Sequence, residues 1–172
     1  MNKKDLIKAI AVFSIIALCS GIVLGLVVQL THISATERQM RAISVLESFY
    51  NSSNFEPVKD IELNENIQYF FYDEREDVYA IVANGVKGYK DTVTMYVIIK
   101  DDKIVALKAG DNKETPGISD SAFDDFLDRF LNIDVYELSG KFTDTVTGAT
   151  YSKKAVRSSI KNAVDFYIDY KN

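Results

Sequence analysis

From Ala9 to Leu30 the chain runs for 22 residues without a charge, AIAVFSIIALCSGIVLGLVVQL, and no other feature restricts its folding so strongly. As a helix rising 1.5 Å per residue this run would be about 33 Å long, against roughly 30 Å for a hydrocarbon core. Its polar members, Ser14, Ser20 and Gln29, are mild, and Gly21 and Gly25 suit close packing against a neighbouring helix. A cleaved signal peptide has a shorter apolar stretch, about 7–15 residues, closed by small residues at a cleavage site. Here the run is longer, and Ile33-Ser34-Ala35 makes a poor site. A lipoprotein anchor at Cys19 would want a small residue where Leu18 stands, and the apolar run continues eleven residues past that cysteine. A buried helix of a soluble protein would keep one polar face, which is missing. The segment therefore reads as a retained transmembrane helix over residues 9–30.

Flanking charge sets its orientation. Lys3, Lys4 and Lys8 precede the span, whereas Arg38 and Arg41 follow it at a distance and beside Glu37. The positive-inside bias makes residues 1–8 a cytoplasmic tail and places the remainder outside the cell membrane. Beyond the span there are 17 basic and 24 acidic residues, a net of −7, which argues against a nucleic-acid partner because phosphate backbones call for a basic face. Cys19 is the only cysteine, so this chain by itself can hold neither a disulfide framework, nor an iron–sulfur cluster, nor a C-x-x-C-H haem. The single histidine, His32, falls at the expected membrane–water boundary, and no protein-only metal site can be assembled from these residues.

Residues 31–55 read as a stalk helix and linker. Thr36 is the expected N-cap, Met40, Ile43, Leu46, Phe49 and Tyr50 recur at helical spacing, and Asn51-Ser52-Ser53-Asn54 with Pro57 ends the element. Residues 56–172 form the outer domain. Ile67–Tyr72, Val78–Ala83, Val93–Ile99 and Ile104–Ala109 are rich in β-branched and aromatic residues and read as strands, with Asp101-Asp102 as a hairpin turn. Phe123, Phe126, Leu127, Phe130 and Leu131 predict an amphipathic helix whose Asp124, Asp125 and Asp128 form a solvated face. A last helix is predicted from about Ser152, with Val156, Ile160, Ala163, Val164 and Tyr167 inward. Helix, strands and then helices give an α+β domain with a mainly antiparallel sheet and flanking helices.

Before that last helix stands Asp144-Thr145-Val146-Thr147-Gly148-Ala149-Thr150-Tyr151-Ser152, a short polar loop. Gly148 allows unusual backbone angles and Ala149 adds little bulk, which leaves the Thr150 hydroxyl accessible. A phosphate there would meet free backbone N–H groups, the positive end of a helix dipole, and Lys153 and Lys154. Taken alone, the residues fit an ordinary capped helix preceded by a turn better than they fit an anion site.

The run Asp-x-x-Thr-Gly-Ala-Thr, with Ser152 two residues later, resembles the flavinylation motif of FMN-binding domains. Such domains occur in the G subunit of Rnf ion-translocating oxidoreductases and in the C subunit of sodium-translocating NADH:quinone oxidoreductases. Glu114-Thr115-Pro116-Gly117 resembles the Glu-Thr-Pro-Gly loop of the same family, with Ile118-Ser119 departing from its usual Leu-Gly, and Val86-Lys87-Gly88-Tyr89 resembles its upstream Gly-Tyr segment. The short chain favours the Rnf subunit over its sodium-pump relative.

The resemblance implies FMN esterified to Thr150 by a dedicated flavin transferase that uses FAD. Thr147, Gly148 and Ala149 would belong to the attachment motif, and Glu114, Thr115 and Tyr89 would be cofactor contacts. It implies an electron relay between redox centres of a larger membrane complex, with other membrane and redox subunits as partners. No Ser/His/Asp or Cys/His set and no paired acid and base suggest turnover of a substrate by this chain alone. A subunit of the sodium-pump type, a standalone anchored extracellular flavoprotein and a non-redox anchored binding module remain alternatives.

Overall fold

The computed structural model describes residues 3–31, 34–52, 54–88, 92–110, 126–140 and 151–172. The chain divides into two compact units, Met1–Arg38 and Gln39–Asn172. In the first, helix α1 (Lys3–Thr31) contains the window Ile10–Val27, long and apolar enough to cross a membrane, a property shared by signal sequences near an amino terminus. Ile10, Phe13, Ile16, Leu18 and Leu24 are all exposed along it, so among its described residues the helix buries no apolar face within its own unit.

Helix α2 spans Ala35–Phe49. Its cap is Ser34 rather than the expected Thr36: the Ser34 hydroxyl accepts the Glu37 N–H at 3.1 Å, and Ser34-x-x-Glu37 has the spacing of a capping box. Ala42 and Leu46 are its buried residues.

The second unit is built on an entirely antiparallel five-stranded meander, β1 (Glu56–Pro57), β2 (Ile67–Asp73), β3 (Val78–Lys87), β4 (Thr92–Lys100) and β5 (Lys103–Ala109), in sequence order. Helices α3 (Val135–Ser139) and α4 (Tyr151–Lys171) complete an α+β domain. The sheet is covered on both faces. On β4, Val93, Met95, Val97 and Ile99 join Ile160, Val164 and Tyr167 of α4 in one core, while Ile98 joins Ala42 and Leu46 of α2 in the other. This is the period-two alternation of a strand buried on both sides. Each fully buried Val or Ile of α4 contributes about 1.5–3 kcal/mol through burial.

Two irregularities let strands of imperfect pattern obey this arrangement. On β2 a register shift between Ile67 and Tyr69 puts Ile67 and Phe70, an odd number apart, in the same core. On β5, Ile98 pairs with Ala106 and Ile99 with Ile104, so Val105 is the extra residue, and Ile104 and Leu107 reach the α4 side together. The Asp101-Asp102 turn is present with positive φ at both residues, 50° and 58°, as a tight hairpin of matching twist requires.

The predicted helix around residues 123–131 is shorter among the described residues. Residues 126–128 are helical and 129–132 form turns closed by Phe130 N–H to Leu127 O (2.9 Å) and Leu131 N–H to Asp128 O (3.2 Å). Phe126, Leu127 and Phe130 are nonetheless buried, so the apolar spacing marked core contacts correctly.

Candidate functional site

The sheet has two ends. At one lie the β2–β3 and β4–β5 turns; at the other lie the carboxyl ends of β3 and β5 and the start of β4, with the first half of α4 packed on top. There, α4 and β3 approach to backbone contact at Gly85. A Cβ on Gly85 would collide with the Ala155 carbonyl oxygen and stand 2.6 Å from Ser159 Oγ and 2.8 Å from Ser159 N. Only glycine permits this approach.

The β3–β4 ladder also shifts register between Asn84 and Lys87, and a bulge takes backbone groups out of regular pairing. Side chains of α4 satisfy them. The Asn162 amide donates to Asn84 O at 2.7 Å, and Val86 N–H donates to Ser158 Oγ at 3.2 Å. The Ser159 hydroxyl, fully buried, donates to Val93 O on β4 at 2.6 Å, with Ala155 O at 3.0 Å. The Asn84 side-chain oxygen accepts from Thr94 Oγ1 (2.7 Å) and Gln68 Nε2 (3.0 Å). Next to it, Gly110 N–H donates to Thr94 O at 2.9 Å.

Thr147, Gly148, Ala149, Thr150, Glu114, Thr115 and Tyr89 all lie outside the described residues, as does Asp144. Of the described residues that adjoin them, Gly88, Gly110 and Tyr151 lie toward one end of the sheet, whereas Gly140 follows α3, which is bonded to Asp102 and Asp165 away from it. Gly88, before Tyr89, follows the bulge against α4; Gly110, before the 111–125 segment, is bonded to Thr94; and Tyr151, directly after Thr150, opens α4. Gly88, Gly110 and Tyr151, 22 to 63 positions apart in sequence, thus lie toward a common end.

The start of α4 is electropositive. Its first turn has no acidic residue, and Lys153, Lys154 and Arg157 fall in its first two turns. The Lys153 ammonium lies 5.6 Å from the Phe126 ring centroid, which ties residues 126–130 to this part of the helix. A helix amino terminus with this charge suits an anion. On the other face of the same sheet end is a groove of about 310 Å³ lined by Val45, Gln68, Thr94, Tyr96, Lys108 and Ala109. A cleft of about 420 Å³ beside Tyr72, Asp73, Arg75 and Tyr170 belongs to the far end.

Residues 88–165 match the family model of the FMN-binding domain. That match supports an FMN-binding flavoprotein family and a flavin-binding role in electron transfer. No curated protein and no solved structure matches the chain. The FMN-binding domain match begins at Gly88 and ends at Asp165, so it takes in β4, β5, α3 and most of α4 together with all of 111–125 and 141–150. Helix α2 and strands β1–β3 precede it, and of the residues that bind α4 to the sheet end, Asn84, Gly85 and Val86 also fall before it.

The perturbed acidities sit at the far end and are structural. Hydrogen bonding to Asp77, at 2.9 Å, pushes the Tyr72 phenol up to about 12. Burial and a 2.7 Å hydrogen bond to Asp102 raise the Tyr167 phenol strongly. Burial acts to raise the Asp73 carboxyl, but the Ser52 hydroxyl and the Arg75 and Glu76 N–H groups outweigh it and hold the group below the usual carboxylate range.

Proposed function

We propose that this chain is an electron-transfer subunit carrying FMN covalently on Thr150, anchored by α1 with its flavin domain outside the cell membrane, in an ion-translocating oxidoreductase of the Rnf type. The observation that carries the reading is the common end of the sheet. The family match spans the motif segments from Gly88 onward, and the described residues Gly88, Gly110 and Tyr151 that adjoin them lie toward the end where an electropositive helix begins. The apolar run of α1 supports the anchor, and the lysines before it support the orientation.

The residues present fit the group. Thr150 supplies a hydroxyl directly before α4, and its oxygen would bond the FMN phosphorus of FAD as the pyrophosphate bond breaks and AMP and the hydroxyl proton depart. The α4 amino terminus, with Lys153 and Lys154, would balance the charge of the resulting phosphodiester. Bound there, FMN would supply the redox chemistry, taking electrons from one centre and passing them to another. Glu114, Thr115 and Tyr89 would orient the ring, and Gly148 and Ala149 would keep the acceptor hydroxyl open. Outside the cell a dissociated cofactor would be lost by diffusion, which gives the tether its purpose.

Co-expression with a flavin transferase tests this. The chain should keep yellow fluorescence on a denaturing gel, and Thr150→Ala should lose it while still inserting in the membrane. A non-fluorescent wild-type chain beside an active transferase would contradict the reading. Co-purification with polytopic redox subunits tests the assignment to a complex.

A further inference from the structure

We propose that Ser159 and Asn162 are positioning residues for the cofactor: with Gly85 they lock α4 in one register on the sheet end and so fix where the helix that follows the proposed acceptor in sequence begins. This inference rests on the flavin reading above.

A helix packed on a sheet through Val and Ile alone can slide or rotate, since apolar contacts are not directional. The contacts around Gly85 remove that freedom. Ser158, Ser159 and Asn162 are at i, i+1 and i+4, so they present one side of α4 to the sheet. Each finds a different partner: Val86 N–H, Val93 O and Asn84 O respectively. Gly85 leaves space for the Ala155–Ser159 turn, and an added Cβ would strike it. Moving α4 by one turn, about 5.4 Å, would break all three bonds and leave the buried Ser159 hydroxyl without its Val93 partner.

The position so fixed is that of Tyr151, eight residues before Ser159, or about 12 Å along the axis. Thr150 adjoins it in the chain. The three bonds therefore fix the first turns of α4, within about 12–17 Å of its start. By contrast, the Tyr167–Asp102 bond holds the same helix near its other end, 2.7 Å long and closing on the β4–β5 turn. If α4 acted only as a stabilising element, both sets of bonds would be equivalent for the flavin. If the placing of its first turns matters, they are not, because Tyr167 lies sixteen residues, about 24 Å, from Tyr151.

The full-length chain is made with flavin transferase as wild type, Ser159→Ala, Asn162→Asp and Tyr167→Phe. Asn162→Asp keeps the shape but removes the donor to Asn84 O, and serves if Ser159→Ala fails to fold. Initial rate of FMN attachment, visible circular dichroism of the attached flavin and melting temperature are measured for each. The expected result is a several-fold slower attachment and an altered flavin dichroism in both Ser159→Ala and Asn162→Asp. Tyr167→Phe should match the wild type in both readouts even where its melting temperature falls equally. Wild-type rate and dichroism in the Ser159 and Asn162 variants overturn the inference. So does a Tyr167→Phe variant that shows the same losses in proportion to its stability. A wild-type chain that takes up no FMN overturns the flavin reading itself, and is recognised separately because it needs no variant.

Discussion

Asp73 is fully buried at the end of β2, where its carboxylate accepts from the Ser52 hydroxyl and from the N–H groups of Arg75 (2.9 Å) and Glu76 (3.3 Å). It closes the β2–β3 turn and ties the segment after α2 to the sheet. Its folded acidity constant is lowered, so the ionised form is favoured by folding. The stability this supplies is complete above the unfolded value, about 3.9, and is lost as pH falls through the lower folded value. Asp73→Asn should cost about 1–3 kcal/mol at neutral pH, and its stability should fall less steeply than that of the wild type below about pH 4; urea denaturation across pH checks both. At Gly85 the obstacle to a side chain is backbone of α4, which cannot give way as a flexible side chain would. Gly85→Ala should therefore cost about 3 kcal/mol, read as a lower denaturation midpoint. Gly85 was not identifiable as special from sequence, because its neighbour Ser159 stands 74 positions away.

At the scale of elements, the strands and the inner face of α4 were readable because alternation and 3.6-residue spacing are local properties. Strand β1 was not, since two residues carry no period. The extra residue in β5 was not, since a bulge is defined by the opposite strand. Two helix starts have a sequence signature of their own: Ser34-x-x-Glu37 for α2, and Asp134-x-x-Glu137 for the short α3. Asp134 accepts from Tyr136 N–H at 2.9 Å and Glu137 N–H at 3.4 Å. Asp134→Ala should cost about 0.5–2 kcal/mol by the same denaturation measurement, without altering the strands, as infrared amide bands would report.

For the whole molecule, division into Met1–Arg38 and Gln39–Asn172 separates an apolar helix from a domain with cores on both faces of its sheet. Among the described residues those cores contain none from α1, so a chain of residues 34–172, which keeps the Ser34 cap, should fold and remain in solution. Circular dichroism and gel filtration check this; aggregation or loss of strand signal would contradict it. The full chain should instead pellet with membranes and resist extraction by alkaline carbonate, whereas release into the soluble fraction would count against a membrane-spanning α1. What sequence could name at the site were its motifs, through their resemblance to a family. What it could not give was the nearness of Gly88, Gly110 and the start of α4 at one sheet end, which depends on strand order and on the register of α4.

The central claim is that Thr150 bears the flavin. Trypsin cleaves after Lys141 and Lys153, giving a peptide of residues 142–153 that contains Thr143, Thr145, Thr147, Thr150 and Ser152. Tandem mass spectrometry of this peptide, from chain co-expressed with flavin transferase, should find the mass of FMN less water on Thr150 alone. An unmodified peptide beside an active transferase, or the adduct on Thr147 or another hydroxyl, would contradict the account.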